Sequence, residues 1–367
     1  MADQMCRWGI LGTANIARKN WHAIRNAGNA TLVAVASRSV DRSRKFIEEC
    51  QASVSFPAMP RACGSYDELI RSNDVDAVYV PLPTGIRKEW VIRAADAKKH
   101  VVVEKPVGVN AADVSEMIAA CRRNNVQLMD GVMFMHSQRL GRLREVLDDG
   151  VSVGPIRRIN SQFSFKAGDD FLRNNIRVSG ELEPLGCLGD LGWYNIRFTL
   201  WTLNYRMPVR VTGRLLSEAK RPDSRSTVPT EFSAELFYPE GVSASFYCSF
   251  VTENQQWAHI SGTEGFATVP DFVLPYFGSE VAFTVNKPKF RAAGCRFNME
   301  DHTRRIAVAE YSNNAESAQE TNLFRDFSRL ALSGQPDHSW ADIALKTQQV
   351  LDACLASARQ DGKPVES

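Results

Sequence analysis

The sequence holds no uninterrupted apolar run of the roughly 18–20 residues that a bilayer-spanning helix needs. It also lacks the basic-then-apolar layout of a secretory leader, because MADQMCRWGILG passes at once into a strand-like run. Both absences lead to the expectation of a cytoplasmic protein with no membrane partner. Charge of one sign is missing too. Lysine and arginine number 44 against 42 acidic residues, so no broad electrostatic footprint for nucleic acid is offered. The eight cysteines (6, 50, 63, 121, 187, 248, 295 and 354) include no C-x-x-C pair. They read as small core residues rather than as a disulfide framework or a zinc site. No histidine and carboxylate grouping has the spacing of a metal centre, so no metal is expected. Internal repeats and low-complexity linkers are absent as well.

What is present is a chain of 367 residues, 44% hydrophobic. It is too long for one hydrophobic core and apolar enough to build two. From residue 7 to about 130, continuous apolar runs (Trp8–Leu11, Leu32–Ala36, Ala77–Val80, Val101–Val103) alternate with helical stretches. Such runs suit strands buried on both faces of a parallel sheet. Ser65-Tyr-Asp-Glu68 has the form of a capping box, and Asn110 is placed to cap Ala111–Arg123. The alternation predicts a doubly wound α/β domain of Rossmann type over residues 1–130.

The texture changes near Asp149-Gly150. Ile156–Phe165, Val209–Leu216, Glu231–Phe237, Val242–Phe250 and Trp257–Ser261 alternate apolar and polar residues, as half-exposed antiparallel strands do. Helical patterns cover Leu188–Leu203, Thr321–Ser333 and Asp342–Arg359. Residues 131–367 therefore read as an α+β domain with an open, mainly antiparallel sheet, whose final helix can pack back on the first domain.

Between the first strand and the first helix lies Gly12-Thr13-Ala14-Asn15-Ile16-Ala17, a G-x-A-x-x-A turn. Gly12 makes the tight turn, Ala14 lets backbone approach a pyrophosphate, and Ala17 allows close helix packing. A packing turn without ligand is the plainer alternative for so degenerate a fingerprint. About 20–25 residues on, an NAD-selective site usually has an acidic residue for the ribose hydroxyls; here the second strand ends in Ser37-Arg38, with Arg42 one helical turn later. A hydroxyl and guanidinium groups suit a 2′-phosphate, so NADP is expected, with NAD still admissible. Asp41 is expected to cap the next helix.

The run Val101–Val103 ends in Glu104-Lys105-Pro106, at the strand end where doubly wound sheets place ligands. Lys105 is either a solvated lysine or a donor to a substrate oxygen. On the helix from Leu188, Asp190 and Tyr194 stand one turn apart and share a face. A nearby lysine is expected to favour the tyrosine's phenolate and bring it toward working range. Ordinary helix charge and core packing are the alternative for this pair.

VVVEKP, the G-x-A-x-x-A turn and FRDFSRLALSGQP…QQVLDACLASARQDG together resemble the Gfo/Idh/MocA oxidoreductase family over nearly the whole chain. The resemblance implies a catalytic Lys105 and a second motif opening at Asp190. That motif is D-x-x-x-H in many members and ends here in Tyr194, as in the branch with glucose–fructose oxidoreductase and dimeric dihydrodiol dehydrogenase. It adds Pro81, Leu82, Pro83 and Glu104 to the cofactor-binding residues, and a homo-oligomer, dimer or tetramer, formed through the C-terminal sheet. Many members carry histidine where this chain has Arg87, which is read as touching substrate or facing solvent. His136 and Trp193 are further candidates for substrate contact, with a helix-capping or core histidine and a core aromatic as the alternatives. The expected activity is hydride transfer on a sugar, a polyol or a trans-dihydrodiol-like compound. A non-catalytic dinucleotide-binding regulator is the alternative; a Rossmann methyltransferase is disfavoured by Lys105-Pro106 and the large second sheet.

Overall fold

The computed structural model describes residues 4–366. Six short strands, β1 (Cys6–Leu11), β2 (Ala30–Ala36), β3 (Arg61–Cys63), β4 (Ala77–Val80), β5 (His100–Val103) and β6 (Leu128–Asp130), form one sheet. Their order is β3-β2-β1-β4-β5-β6 and every pairing is parallel. This is the doubly wound order, with its crevice at the carboxyl ends of β1 and β4. The connecting helices are α1 (Asn15–Asn26), α2 (Val40–Ser53), α3 (Tyr66–Ile70), α4 (Thr84–Asp96) and α5 (Ala111–Arg123). Both predicted caps form. Ser65 Oγ accepts from the Glu68 amide at 3.2 Å, and Asn110 Oδ1 from that of Asp113 at 2.9 Å. Asp41 does not cap α2: Ser39 holds that position, and Asp41 sits in the first turn paired with Arg44.

After α6 (Gln138–Asp148), the chain builds a nine-stranded sheet in the order β16-β13-β12-β11-β7-β10-β9-β8-β17. Its centre is β7 (Ile156–Ser164), β8 (Arg210–Ala219), β9 (Val228–Phe237), β10 (Ser243–Ser249) and β11 (Gln255–Gly262). The predicted alternation holds in all five, yet β7 and β10 pair in parallel, so the sheet is mixed at its middle. Strands β12 (Phe266–Val269), β13 (Glu280–Asn286), β16 (Thr303–Ala309) and β17 (Val365–Glu366) extend it. A projecting ribbon, β14 (Lys289–Ala293) with β15 (Arg296–Glu300), is exposed on both faces, which is why it carries no burial alternation to read.

The short α7 (Asp169–Asn174) follows β7, and α8 (Trp193–Thr202) is buried over its whole length. The residues before α8, Leu188–Gly192, are wound as a π-helix rather than the plain α-helix expected. A Cβ on Gly189 would stand 3.1 Å from Pro106 Cγ, so glycine lets this segment lie against the β5 loop. Two helices end the fold. In α9 (Gln319–Ser333), Phe324 and Phe327 lie about the Trp8 ring at 5.0 and 5.1 Å, and Ser328 Oγ accepts from the Trp8 indole at 3.0 Å. The last helix, α10 (Ser339–Ala358), packs against α5, β6, α8 and β8, so it touches both sheets. Among the described residues no helix is long and apolar enough to cross a membrane.

Candidate active site

Three strand ends supply the first side of the site. At the end of β1, Gly12 has φ +118°, its amide donates to Ala36 O at 2.8 Å, and a Cβ there would stand 3.2 Å from Leu82 Cδ2. Such a φ favours glycine. Ala14 caps α1 without a side-chain bond, the first turn of α1 has no acidic residue, and Ala17 is fully buried. Thr13, Ala14 and Ile16 are half-buried and Asn15 is exposed, so the turn presents its backbone outward. A helix N-terminus free of carboxylates is the arrangement that accepts a pyrophosphate.

Beyond β2, Arg38 and Arg42 are exposed and take no ion pair among the described residues; both lie near the Tyr66 phenol. Two unpaired guanidinium groups fit a 2′-phosphate. Ser37 does not join them. It is 3% exposed, and its hydroxyl donates to Ser39 O at 2.7 Å and accepts from Ser43 Oγ at 3.0 Å, so it shapes the turn. Beyond β4, Pro81 and Leu82 are buried and Pro83 caps α4. These residues fit a dinucleotide bearing a 2′-phosphate: a glycine turn, bare amides and free cations at the expected strand ends.

Lys105 and Asp190 meet across the two sheets. Lys105 Nζ donates to Asp190 Oδ1 at 2.6 Å and to Asp190 O at 2.8 Å, and stands 4.7 Å from the centroid of the Tyr194 ring. The Lys105 and Asp190 side chains are 9% and 13% exposed. The peptide Lys105–Pro106 is cis. Glu104 accepts from Tyr79 Oη at 2.6 Å.

Arg177, which the sequence reading missed, is the second cation on Asp190. It lies in a short 3-10 turn, Ile176–Val178, shaped by Asn175, and its Nε is 2.8 Å from Asp190 Oδ2. Burial pushes the Asp190 carboxyl up, but Arg177 and Lys105 outweigh it and hold it down to about 2. Asp190 in turn raises the guanidinium of Arg177.

Tyr194 departs from expectation. Burial, Glu104 and Asp190 push its phenol well above the ordinary 10, with Arg177 opposing weakly. Lys105 faces the ring rather than the hydroxyl, so it does not draw out a phenolate. The hydroxyl takes no hydrogen bond among the described residues, while Phe163 packs edge-on to the ring at 5.6 Å. The group is a protonated phenol with a free donor.

Burial decides three candidates for substrate contact, and for His136 and Trp193 the core alternative holds. Trp193 is fully buried and donates its indole N–H to Asp130 Oδ2 at 3.0 Å. The His136 side chain is 1% exposed, held at Nδ1 by Asp326 at 2.9 Å and stacked on Trp340. Arg87 is 3% exposed and spends its guanidinium on main-chain carbonyls, so it neither touches substrate nor faces solvent. Two long-range pairs flank the site. Glu183 caps α4 by accepting from Thr84 N at 3.1 Å and Oγ1 at 2.6 Å. Asp130 and Arg197, both wholly buried, pair at 2.7 Å and fasten β6 to α8. No sequence spacing marks these pairs. The one hint in the sequence is that Arg197 is the only charged residue of α8. No cluster of three metal-binding side chains exists among the described residues.

Residues 6–132 match the family described as "Oxidoreductase family, NAD-binding Rossmann fold", and residues 140–268 match "GFO/IDH/MocA C-terminal domain". The chain is 30% identical to trans-1,2-dihydrobenzene-1,2-diol dehydrogenase of Mus musculus over 73% of its length and 76% of that protein's. It is 31% identical to D-xylose 1-dehydrogenase (NADP(+)) 2 of Haloferax volcanii, over 70% and 74%. Two solved structures share the fold. KijD10, a 3-ketoreductase from Actinomadura kijaniata solved with NADP and TDP-benzene, has a TM-score of 0.78, 24% identity and coverage of 96% and 98%. An aldose-aldose oxidoreductase from Caulobacter crescentus, complexed with glycerol, has a TM-score of 0.79, 23% identity and coverage of 99% and 100%.

Proposed function

The chain belongs to the Gfo/Idh/MocA oxidoreductases, and on that premise we propose that it is an NADP-preferring dehydrogenase or reductase of a CH–OH group on a sugar, a polyol or a diol. One observation carries the reading: Lys105 Nζ is seated on Asp190 above the Tyr194 ring, at a strand end of the crevice, with the phenol proton free. The turn at Gly12 and the side chains of Arg38 and Arg42 are the residues that would hold the dinucleotide, with residues 1–130 as the cofactor unit and 131–367 as the substrate unit. When bound there, the nicotinamide supplies or takes up a hydride.

The chain's own residues handle the proton and the orientation. In reduction, negative charge develops on the carbonyl oxygen as its carbon gains hydride. Tyr194 gives that oxygen its proton, and the resulting phenolate is reprotonated from solvent. Lys105 polarises the same oxygen before transfer through its charge. Asp190, ionised down to about pH 2, holds the ammonium in place. The relatives' names support the substrate class, since they act on a diol and on xylose.

We also propose a cytoplasmic homo-oligomer. The uncovered face of the nine-stranded sheet, with Arg158, Asn160, Gln162, Tyr247 and Trp257, is the surface that would pair. The test is a panel of aldoses, polyols and diols with NADP and NADPH, read by the absorbance of the reduced nicotinamide. Turnover with kcat/KM for NADP above that for NAD, and loss of that preference in Arg38→Ala, are expected. NADPH binding without turnover across the panel identifies a non-catalytic binder and sinks the reading.

A further inference from the structure

Arg87, the fourth residue of α4, spends all its bonds on the main chain around the catalytic lysine. Its Nη1 donates to Glu104 O at 2.7 Å and to Pro106 O, while Nε and Nη2 donate to Leu82 O at 3.0 and 2.5 Å. These carbonyls lie past the sheet ladder, whose last bond on this side runs from Glu104 N to Val80 O. We propose that Arg87 is the positioning residue for Lys105, clamping the backbone on both sides of it to the loop after β4.

Three features carry the proposal. Glu104 and Pro106 straddle Lys105, so the clamp acts directly on the backbone that aims the ammonium at Asp190. The guanidinium is the one side chain whose planar fork of five N–H groups can span three carbonyls. The imidazole that many family members carry here has at most two donors, and an ammonium is a point. Leu82, the far anchor, also limits space at Gly12. One guanidinium thus links the dinucleotide turn, the β4 loop and the lysine before any ligand arrives. Buried carbonyls left without a donor are costly, so losing Arg87 releases the loop.

The proposal rests on Lys105 being catalytic only in its kinetic arm. Its first test needs no substrate: residue-resolved acetylation of the full chain with limiting acetic anhydride, read by mass spectrometry. Lys99 is the internal reference. It is 8% exposed, lies before the opposite end of β5, and donates to Ser72 O and Val75 O, both at 2.7 Å. In Arg87→Met, Lys105 should react about tenfold faster while Lys99 stays within about twofold, as local opening of one loop requires. If that variant does not fold, Arg87→Lys should show the same selectivity with a rise of about threefold. Unchanged Lys105 reactivity, or Lys99 rising in step, overturns the proposal as a general loosening. With a substrate from the panel, kcat should fall about ten- to a hundredfold with the NADPH Kd nearly unchanged; a wild-type kcat overturns it equally. Absence of turnover in the wild type contradicts the functional reading alone and leaves acetylation to decide this one.

Discussion

The helical segment that runs from Leu188 to Thr202 carries two ionic clusters that join the same two sheets in opposite ways. At its π-wound start, Asp190 meets Lys105 and Arg177, with side chains 13%, 9% and 42% exposed. Three residues after Tyr194, Arg197 meets Asp130, and both are at 0%. In the inner pair every nitrogen and carboxylate oxygen has a partner: Arg197 bonds both Asp130 oxygens and Thr347, and Trp193 adds its indole N–H. The outer cluster keeps donors in hand, with a free phenol at Tyr194 and the outer edge of Arg177 bare. Similar charges make a mechanical bolt where each polar atom has a partner, and leave donors free for a ligand where some have none.

The largest effects expected are a double dissociation between the clusters. Lys105→Met should lower kcat by about 10³-fold, in the range of lost acid–base or electrostatic groups, and cost clearly less stability than loss of the inner pair, since Arg177 stays on Asp190. Arg197→Met should do the reverse, costing about 3–5 kcal/mol by stranding a buried carboxylate while the folded fraction keeps its kcat. Equal loss of stability in both variants would erase the distinction.

A smaller effect follows from pH. The folded Asp190 carboxyl is depressed from 3.8 to about 2, so its stabilisation is whole above about pH 4 and is lost as pH falls toward 2. The stability gap between wild type and Asp190→Asn should therefore shrink by about 2 kcal/mol between those limits, at roughly 1.4 kcal/mol per pH unit. The Asp130–Arg197 bolt serves as the control, since Arg197→Met should not remove this shrinkage. Because the Tyr194 phenol is raised above 10, reductive kcat/KM should show no basic limb below that pH. A limb near neutrality would assign the proton to another group.

The same contrast explains what the sequence made legible. Lys105 and Asp190 could be read because each sits in a short local pattern, a strand end followed by proline and a helix face. Continuous apolar runs likewise predicted four of the six parallel strands, β1, β2, β4 and β5, since strands buried on both faces leave no polar interruption. The bolt could not be read, because Asp130 and Arg197 are 67 residues apart and each looks unremarkable alone. Arg177 escaped for a similar reason, lying in a turn whose shape comes from Asn175 rather than from periodicity. For Arg87, His136 and Trp193 the sequence left substrate contact open beside solvent exposure or core packing. Polar or aromatic residues near a cleft suggest contact with substrate, but each is consumed by partners that only the tertiary fold brings close.

The free phenol of Tyr194 is the group on which proton transfer turns. Single-turnover reduction by Tyr194→Phe, followed through the nicotinamide absorbance with NADPH affinity measured alongside, tests it. The predicted result is a rate about 10²–10³ lower with an unchanged NADPH Kd, since only the proton donor is removed. A wild-type rate in that variant would contradict it and move the proton to Lys105.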